Sequence, residues 1–331
     1  MIVYLHKQGH DYTLRYDFLE YWRPDLAKIV RLQSYESLFQ AERLPLCTYV
    51  FSDIERLDPD EQEMAARIYE KLAVADPDGI RLNHPLHSRR RFGLLRSLRD
   101  AGMNAFDAYR AGDDPRPKRF PVFVRDENGH DGPVSGLIPD QTSLEDWLLR
   151  FRNSGRSLDK YLAVEFLDTS DEGGGFTKFG AYMVNGEIIH QHVLFDNQWV
   201  VKFGDGQSDI PERVAFEREY AELQPHRDQL EAVFAMAGID YGRIDYAIHE
   251  NRVQTFEINT NPSVVPTRDA EDARTANRMR FIDQFGSALS GLDEGIRGEI
   301  DVEPSRPTPL SQAMRSLYHD VRQRMRFKQS S

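Results

Sequence analysis

Three oxygen-bearing side chains recur within one short stretch of this chain: Asp245, Glu257 and Asn259. They lie in Tyr241-Gly-Arg-Ile-Asp-Tyr-Ala-Ile-His249 and Arg252-Val-Gln-Thr-Phe-Glu-Ile-Asn-Thr-Asn-Pro262, two segments that alternate with the period of strands. In the first, Ile244, Tyr246 and Ile248 share one face, and Arg243, Asp245 and His249 the other. In the second, Phe256 and Ile258 share a face, with Val253, Thr255, Glu257 and Asn259 opposite. A three-residue loop at Glu250-Asn251-Arg252 would set Asp245 across from Glu257 and Arg243 across from Asn259. Two carboxylates facing each other at roughly 5 Å destabilise a sheet unless a cation lies between them. Asp, Glu and an Asn amide form an all-oxygen set suited to Mg²⁺, with Mn²⁺ as the alternative, and Mg²⁺ often brings phosphate with it. The competing reading is a polar face turned to water, as in many antiparallel hairpins.

The elements that must carry this hairpin belong to a chain of 331 residues, enough for two or three domains. Composition is that of an ordinary globular protein, and a net charge of −12 argues against a primary role on nucleic acid. There is no apolar run long enough to span a membrane and no secretory signal at the N-terminus. The single cysteine, Cys47, lies in an apolar strand-like run and reads as core filler; both features fit a reducing cytoplasm. The segment after residue 303 departs from the acidic whole. Arg306, Arg315, Arg322, Arg324, Arg326 and Lys328 stand there against Glu303 and Asp320, and Leu310, Met314, Leu317, Val321 and Met325 recur at helical spacing. This basic amphipathic helix follows a Pro-rich linker and reads as docking on its own acidic body or on a partner subunit in a homodimer, with an anionic surface as the other possibility.

Patterning predicts strands at Ile2–Leu5 and Leu46–Phe51 and an amphipathic stretch from Pro24 to about Ala41. It predicts a helix at Pro59–Leu72 and an arginine-rich helix at Arg89–Ala101. A strand Phe120–Arg125 precedes the loop Asp126–Pro133, and a helix capped by Ser143 follows. Strands are then expected at Tyr161–Leu167, Phe176–Val184, Ile188–Leu194 and Trp199–Phe203, with Asn185-Gly186 as a hairpin turn. Helices at about 211–223 and 226–237 lead into the oxygen-bearing hairpin. His6, His10 and Tyr12 carry no spacing signal.

With these residues in place a family resemblance emerges. Ala237-Gly-Ile-Asp-Tyr-Gly-Arg-Ile-Asp-Tyr246 followed by Phe256-Glu-Ile-Asn-Thr-Asn-Pro262 resembles the metal-binding end of ATP-grasp enzymes, most nearly the D-alanine–D-alanine ligase form. Upstream, Phe120–Arg125 resembles the strand ending in an ATP-binding lysine, and Val164-Glu-Phe-Leu-Asp168 the hinge that holds adenine. Arg91 stands near the position of the family's first lysine. Both lysine positions are therefore arginine here, Arg91 and Arg125, and the loop after Arg125 carries His130 where the family is richer in small residues. The resemblance covers about 87–270.

The resemblance implies an α/β (α+β) ATP-grasp fold, with an N-terminal α/β domain at 1–86 and a lid at 87–160. A C-terminal antiparallel-sheet domain at 161–300 completes the clamp on ATP, with the linker and helix at 301–331 beyond it. It implies Mg²⁺ on Asp245, Glu257 and Asn259, and Arg243 stabilising an anionic tetrahedral intermediate, a task for which a guanidinium that keeps its proton is suited. Arg91, Arg125, Lys178 and Lys202 would contact phosphates, while Glu165, the Leu167 backbone and Asp168 would hold adenine. The implied reaction activates a small-molecule or peptide carboxylate as an acyl phosphate for attack by an amine. An ATP-grasp phosphotransferase and a non-catalytic ATP-binding protein are the alternatives.

Overall fold

The computed structural model describes residues 1–129, 132–202, 207–264 and 272–304. His130 and the basic C-terminal segment lie outside the described residues. The chain begins with β1 (Ile2–His6), β2 (Val30–Ser34), α1 (Tyr35–Leu38), β3 (Arg43–Leu46), β4 (Thr48–Phe51), α2 (Pro59–Ala75) and β5 (Arg81–Leu82). Four of these strands form a parallel sheet in the order β2-β1-β4-β5. Burial on both faces explains the near-continuous apolar runs of β1 and β4. The expected amphipathic stretch after Pro24 is instead a turn followed by β2, because Val30 and Leu32 alternate against β1. Asp58 caps α2 through a reciprocal capping box with Glu61, and Pro59 opens its first turn.

Next come α3 (Arg91–Asp100), β6 (Ala108–Arg110), β7 (Val122–Asp126), α4 (Gln141–Asn153) and β8 (Tyr161–Glu165). The three strands pair antiparallel in the order β6-β8-β7, with α4 packed on them through Leu144, Leu148 and Phe151. The cap of α4 is Asp140 rather than Ser143: its carboxylate accepts the Ser143 N–H at 2.8 Å, so the helix starts a turn earlier than the serine suggests.

A second antiparallel sheet follows, built from β9 (Phe176–Val184), β10 (Glu187–Asp196), β11 (Tyr241–His249) and β12 (Arg252–Asn259), ordered β10-β9-β11-β12. Between β10 and β11 run α5 (Pro211–Leu223) and α6 (Arg227–Ala237), the latter stopped by Gly238 in the left-handed conformation. The segment 197–202 is not a strand. Asp196 accepts the Gln198 N–H in a tight turn, and Trp199 packs between Phe123 and Phe166. The chain then forms α7 (Thr275–Gly291) and returns to pair β13 (Gly298–Asp301) with β3. One hydrophobic core joins the parallel sheet, α7 and the second sheet through Tyr4, Phe18, Tyr182, Tyr241, Phe281 and Phe285.

The oxygen-bearing hairpin has the expected cross-strand register, Arg243 opposite Asn259 and Asp245 opposite Glu257. It reaches that register by a different route. The loop is two residues, Glu250 and Asn251, both at positive φ (50° and 59°), the geometry of the primed turns that match strand twist. A two-residue loop alone would put Phe256 opposite Asp245. The register instead shifts between Asp245 and Tyr246, where an extra residue on β12 restores the carboxylate pair. Val253 and Thr255 consequently pair with Ile248 and Tyr246, on the apolar face, and Phe256 turns toward Phe106. Asn104 holds the altered strand, donating to the Thr255 carbonyl and accepting its N–H, each at 2.9 Å.

Candidate functional site

On the second sheet the polar face of β11 and β12 looks toward the arginine-rich helix α3 and the end of β7. Seven of the expected residues meet there. Arg91, the first residue of α3, and Arg125, near the end of β7, both donate to one oxygen of Glu257; the Arg125 contact is 2.8 Å. The other Glu257 oxygen accepts the Asn259 amide at 3.2 Å. Across the hairpin, Arg243 pairs with Asp245 at 2.9 Å and Lys178 of β9 approaches it at 3.5 Å. Four cations therefore contact two carboxylates. Asp126 and Glu55 act on Arg91 only from further away.

Burial drives the electrostatics. It pushes Arg91 well below its ordinary value, and the like charge of Arg125 adds to the effect. Arg125 is pushed down to about 10 by the same desolvation. Burial alone would raise Asp245, but Arg243 and Lys178 outweigh it and hold the carboxyl well below the usual range. His192 lies on β10 directly over Gly180, where an added Cβ would come within 2.5 Å of its ring. Its Nε2 is buried without a partner, and burial beside Arg243 keeps the imidazole neutral. Neither Gly180 nor His192 carries a motif that would mark it in the sequence.

Other expected residues lie elsewhere. Both oxygens of Glu165 are taken by protein donors. Tyr109 Oη and the Lys118 and Arg119 N–H groups bond to one; the Asp107 N–H and Arg119 Nε bond to the other. Its carboxylate thus pins the strand-to-strand connection ahead of β7. Asp168 is exposed and accepts from the backbone and hydroxyl of Ser170. Leu167 packs against the buried cluster of Leu95, Phe106, Ala108, Leu162 and Val164. Lys202 is exposed and lies against Gly132, whose added Cβ would sit 3.2 Å from its Cε.

The loops after β1 and β4 close the site from the parallel sheet. Thr260 accepts the Ile54 N–H at 3.1 Å and donates to Glu55 at 2.5 Å. The Asn261 amide donates to the His10 carbonyl at 3.1 Å. Asn83 locks the same junction, bonding to Phe51, Asp240 and Tyr241 backbone groups at 2.7–3.1 Å. A cavity of about 20 Å³ lies between these loops, lined by Glu55, Arg90, Arg91, Asn128, Asn259 and Thr260 among others.

No protein-family model and no curated protein matches this sequence. Among solved structures, the chain is similar to a D-alanine–D-alanine ligase from Bacillus anthracis complexed with ATP, at 11% identity and a TM-score of 0.45, covering 88% of this chain and 97% of that one. It is also similar to the macrocyclase MdnC of Microcystis aeruginosa bound with its precursor peptide, at 11% identity and a TM-score of 0.45, over 87% of this chain and all of that one. For an L-amino acid ligase from Bacillus licheniformis the figures are 13% and 0.38, over 78% of this chain and 66% of that one.

Proposed function

We propose that the chain is an ATP- and Mg²⁺-dependent ligase that joins a carboxylate to an amine, with the nucleotide held between the β6-β8-β7 sheet and the β10-β9-β11-β12 sheet. The observation that carries this reading is the gathering of Arg91, Arg125, Arg243 and Lys178 on only two carboxylates. Guanidiniums are costly to bury; Arg91 spends Nη1 on the Asp126, Glu127 and Gly129 carbonyls, but Nε of both Arg91 and Arg125 is buried without a partner and remains a donor for an anion with several oxygens. A triphosphate carrying a divalent cation supplies both partners in exchange. Its oxygens would take Arg91, Arg125 and Lys178, and Glu257 would be released to the metal.

The donor set fits that metal: Asp245, Glu257 and the Asn259 amide are hard oxygen donors brought together by the register of one hairpin. When bound there, Mg²⁺ would neutralise phosphate charge. Arg243, charged and fixed between Asp245 and Gln191, is suited to stabilise the oxyanion formed as a nucleophile adds to an acyl carbon. A phosphoryl transfer to a hydroxyl has no such carbon to stabilise. Beside the hinge, Phe123, Phe166 and Trp199 form an aromatic group against which a purine would pack. The structural units of the reading are 1–86, a lid from 87 that includes β8, and the second sheet with α7.

The test offers ATP and Mg²⁺ with carboxylates and amines and follows ADP and free phosphate together. Equal amounts of both with a condensed product support the ligase. ADP without free phosphate points to phosphotransfer. Stabilisation by MgATP with no turnover on any substrate points to a nucleotide-binding protein without catalysis.

A further inference from the structure

The C-terminal edge of the parallel sheet carries a second chemical group that the nucleotide site does not use. Ligands of open parallel sheets bind beyond the carboxyl ends of the strands, where the strand order reverses. In the order β2-β1-β4-β5 that point lies between β1 and β4. The loop after β1 bears His10, and the loop after β4 bears Asp53. His10 Nδ1 bonds to Asp53 Oδ2 at 2.9 Å; the Asp53 side chain is 1% exposed and the His10 side chain 30%.

Asp53 also accepts the Lys7 N–H at 2.9 Å and pairs with Arg56 at 3.0 Å. Burial opposes its charge, but the His10 and Lys7 hydrogen bonds and the nearby cations prevail and hold the carboxyl below its usual value. An ionised carboxylate only accepts, so the ring proton on Nδ1 faces Asp53 and Nε2 is the ring nitrogen left to exchange a proton. Asp53 holds this position at φ 59°, a left-handed conformation that costs an aspartate energy and that proteins keep chiefly where a site requires it.

The pair borders the proposed reaction centre. The His10 carbonyl is tied to Asn261, two residues beyond Asn259, and Ile54 beside Asp53 is tied to Thr260. The 20 Å³ cavity opens at the Ile54–Thr260 tie and is lined by Ile54, Glu55, Arg91 and Asn259, while His10 and Asp53 lie outside its wall.

Resting on the ligase reading, we propose that the crevice beyond the carboxyl ends of β1 and β4 receives the attacking primary amine, that His10 Nε2 is the catalytic base that takes its proton, and that Asp53 is the positioning residue that sets the imidazole. The amine nitrogen forms a bond to the acyl carbon of the acyl phosphate. The carbon–oxygen bond to phosphate breaks and phosphate leaves with that electron pair. One nitrogen proton passes to His10 and then to solvent.

The test uses the full chain with ATP and Mg²⁺. Each of the twenty common amino acids is offered in pairs, and each is offered separately with hydroxylamine, which attacks acyl phosphates without a base. His10→Gln is expected to lower amide formation about 100-fold or more, the scale of a lost general base, while hydroxamate still forms. Asp53→Asn tolerates the left-handed backbone; it should lower kcat for amide formation with KM within about twofold, a split that a structural defect would not produce. Melting curves verify that both variants fold. Unchanged amide formation in His10→Gln, or equal loss of amide and hydroxamate, overturns the proposal. A wild-type chain that forms neither product nor ADP overturns the ligase reading itself, and the base with it.

Discussion

Glu257 is the residue on which the two halves of the proposed site depend, because it neutralises Arg91 and Arg125 and is one of the three proposed metal ligands. Glu257→Gln is therefore expected to lower the stability of the free chain by about 3 kcal/mol, the cost of leaving buried charge unpaired. It should also abolish the Mg²⁺-dependent part of the stabilisation by ATP and keep the Mg²⁺-independent part. Calorimetric melting with ATP, with and without Mg²⁺, reads both; an unchanged Mg²⁺ increment would refute the metal assignment. Arg243→Ala separates binding from chemistry. ATP should still raise the melting temperature, while product formation falls about 100- to 1000-fold, as for a lost oxyanion donor. Product formed at the wild-type rate would remove Arg243 from the mechanism.

At the scale of elements, the hairpin β11–β12 brings Asp245 and Glu257 together through two local devices, a two-residue turn and an irregularity in β12. Both are testable. Glu250 sits at φ 50° with its side chain exposed, so Glu250→Asn or Glu250→Gly should raise stability by about 0.5–1 kcal/mol in denaturant unfolding. Asn104 satisfies the backbone of Thr255 beside the irregularity, and Asn104→Ala leaves that buried N–H and carbonyl unpaired. A loss of about 1–3 kcal/mol is expected, with weakened Mg²⁺-dependent ATP binding if Glu257 loses its register. Stability at the wild-type level would show that the sheet holds its register without Asn104. Alternation in the sequence revealed the two strands and the facing acids. The route to the register was not legible there, because a three-residue loop and a two-residue loop with an extra strand residue place the same carboxylates opposite each other.

At the scale of the whole molecule, α5, α6 and α7 cover β10 of the second sheet, and ionisable groups are buried beneath them. His190, 5% exposed beside Tyr220 and Tyr246, is pushed down to about 4 by burial first and by nearby Arg280. The unfolded chain binds a proton there near pH 6.5 and the folded chain does not until about pH 4, so acid favours unfolding across that window. Stability should fall by about 1.4 kcal/mol per pH unit below 6.5 from this one group, levelling near 4. His190→Gln, melted over the same range, should show a shallower slope; an identical slope would place the titration elsewhere.

The sequence by itself determined most strand and helix positions, since hydrophobic period and turn residues act locally. It also placed Asp245 across from Glu257, because alternation holds along β11 and along β12 beyond Phe256, while the faces of Val253 and Thr255 depended on the extra residue in β12. Tertiary structure decided what those residues meet. Arg91 and Arg125 lie far apart in the chain, and only the packing of α3 and β7 over β12 puts both on Glu257. Glu165 stands in the segment that resembles a hinge, yet its oxygens are consumed by Asp107, Tyr109, Lys118 and Arg119. His10 and Asp53 carry no motif. They become a pair because parallel strands β1 and β4 lie side by side, and hydrogen bonding across a sheet edge depends on which strands are neighbours rather than on separation along the chain.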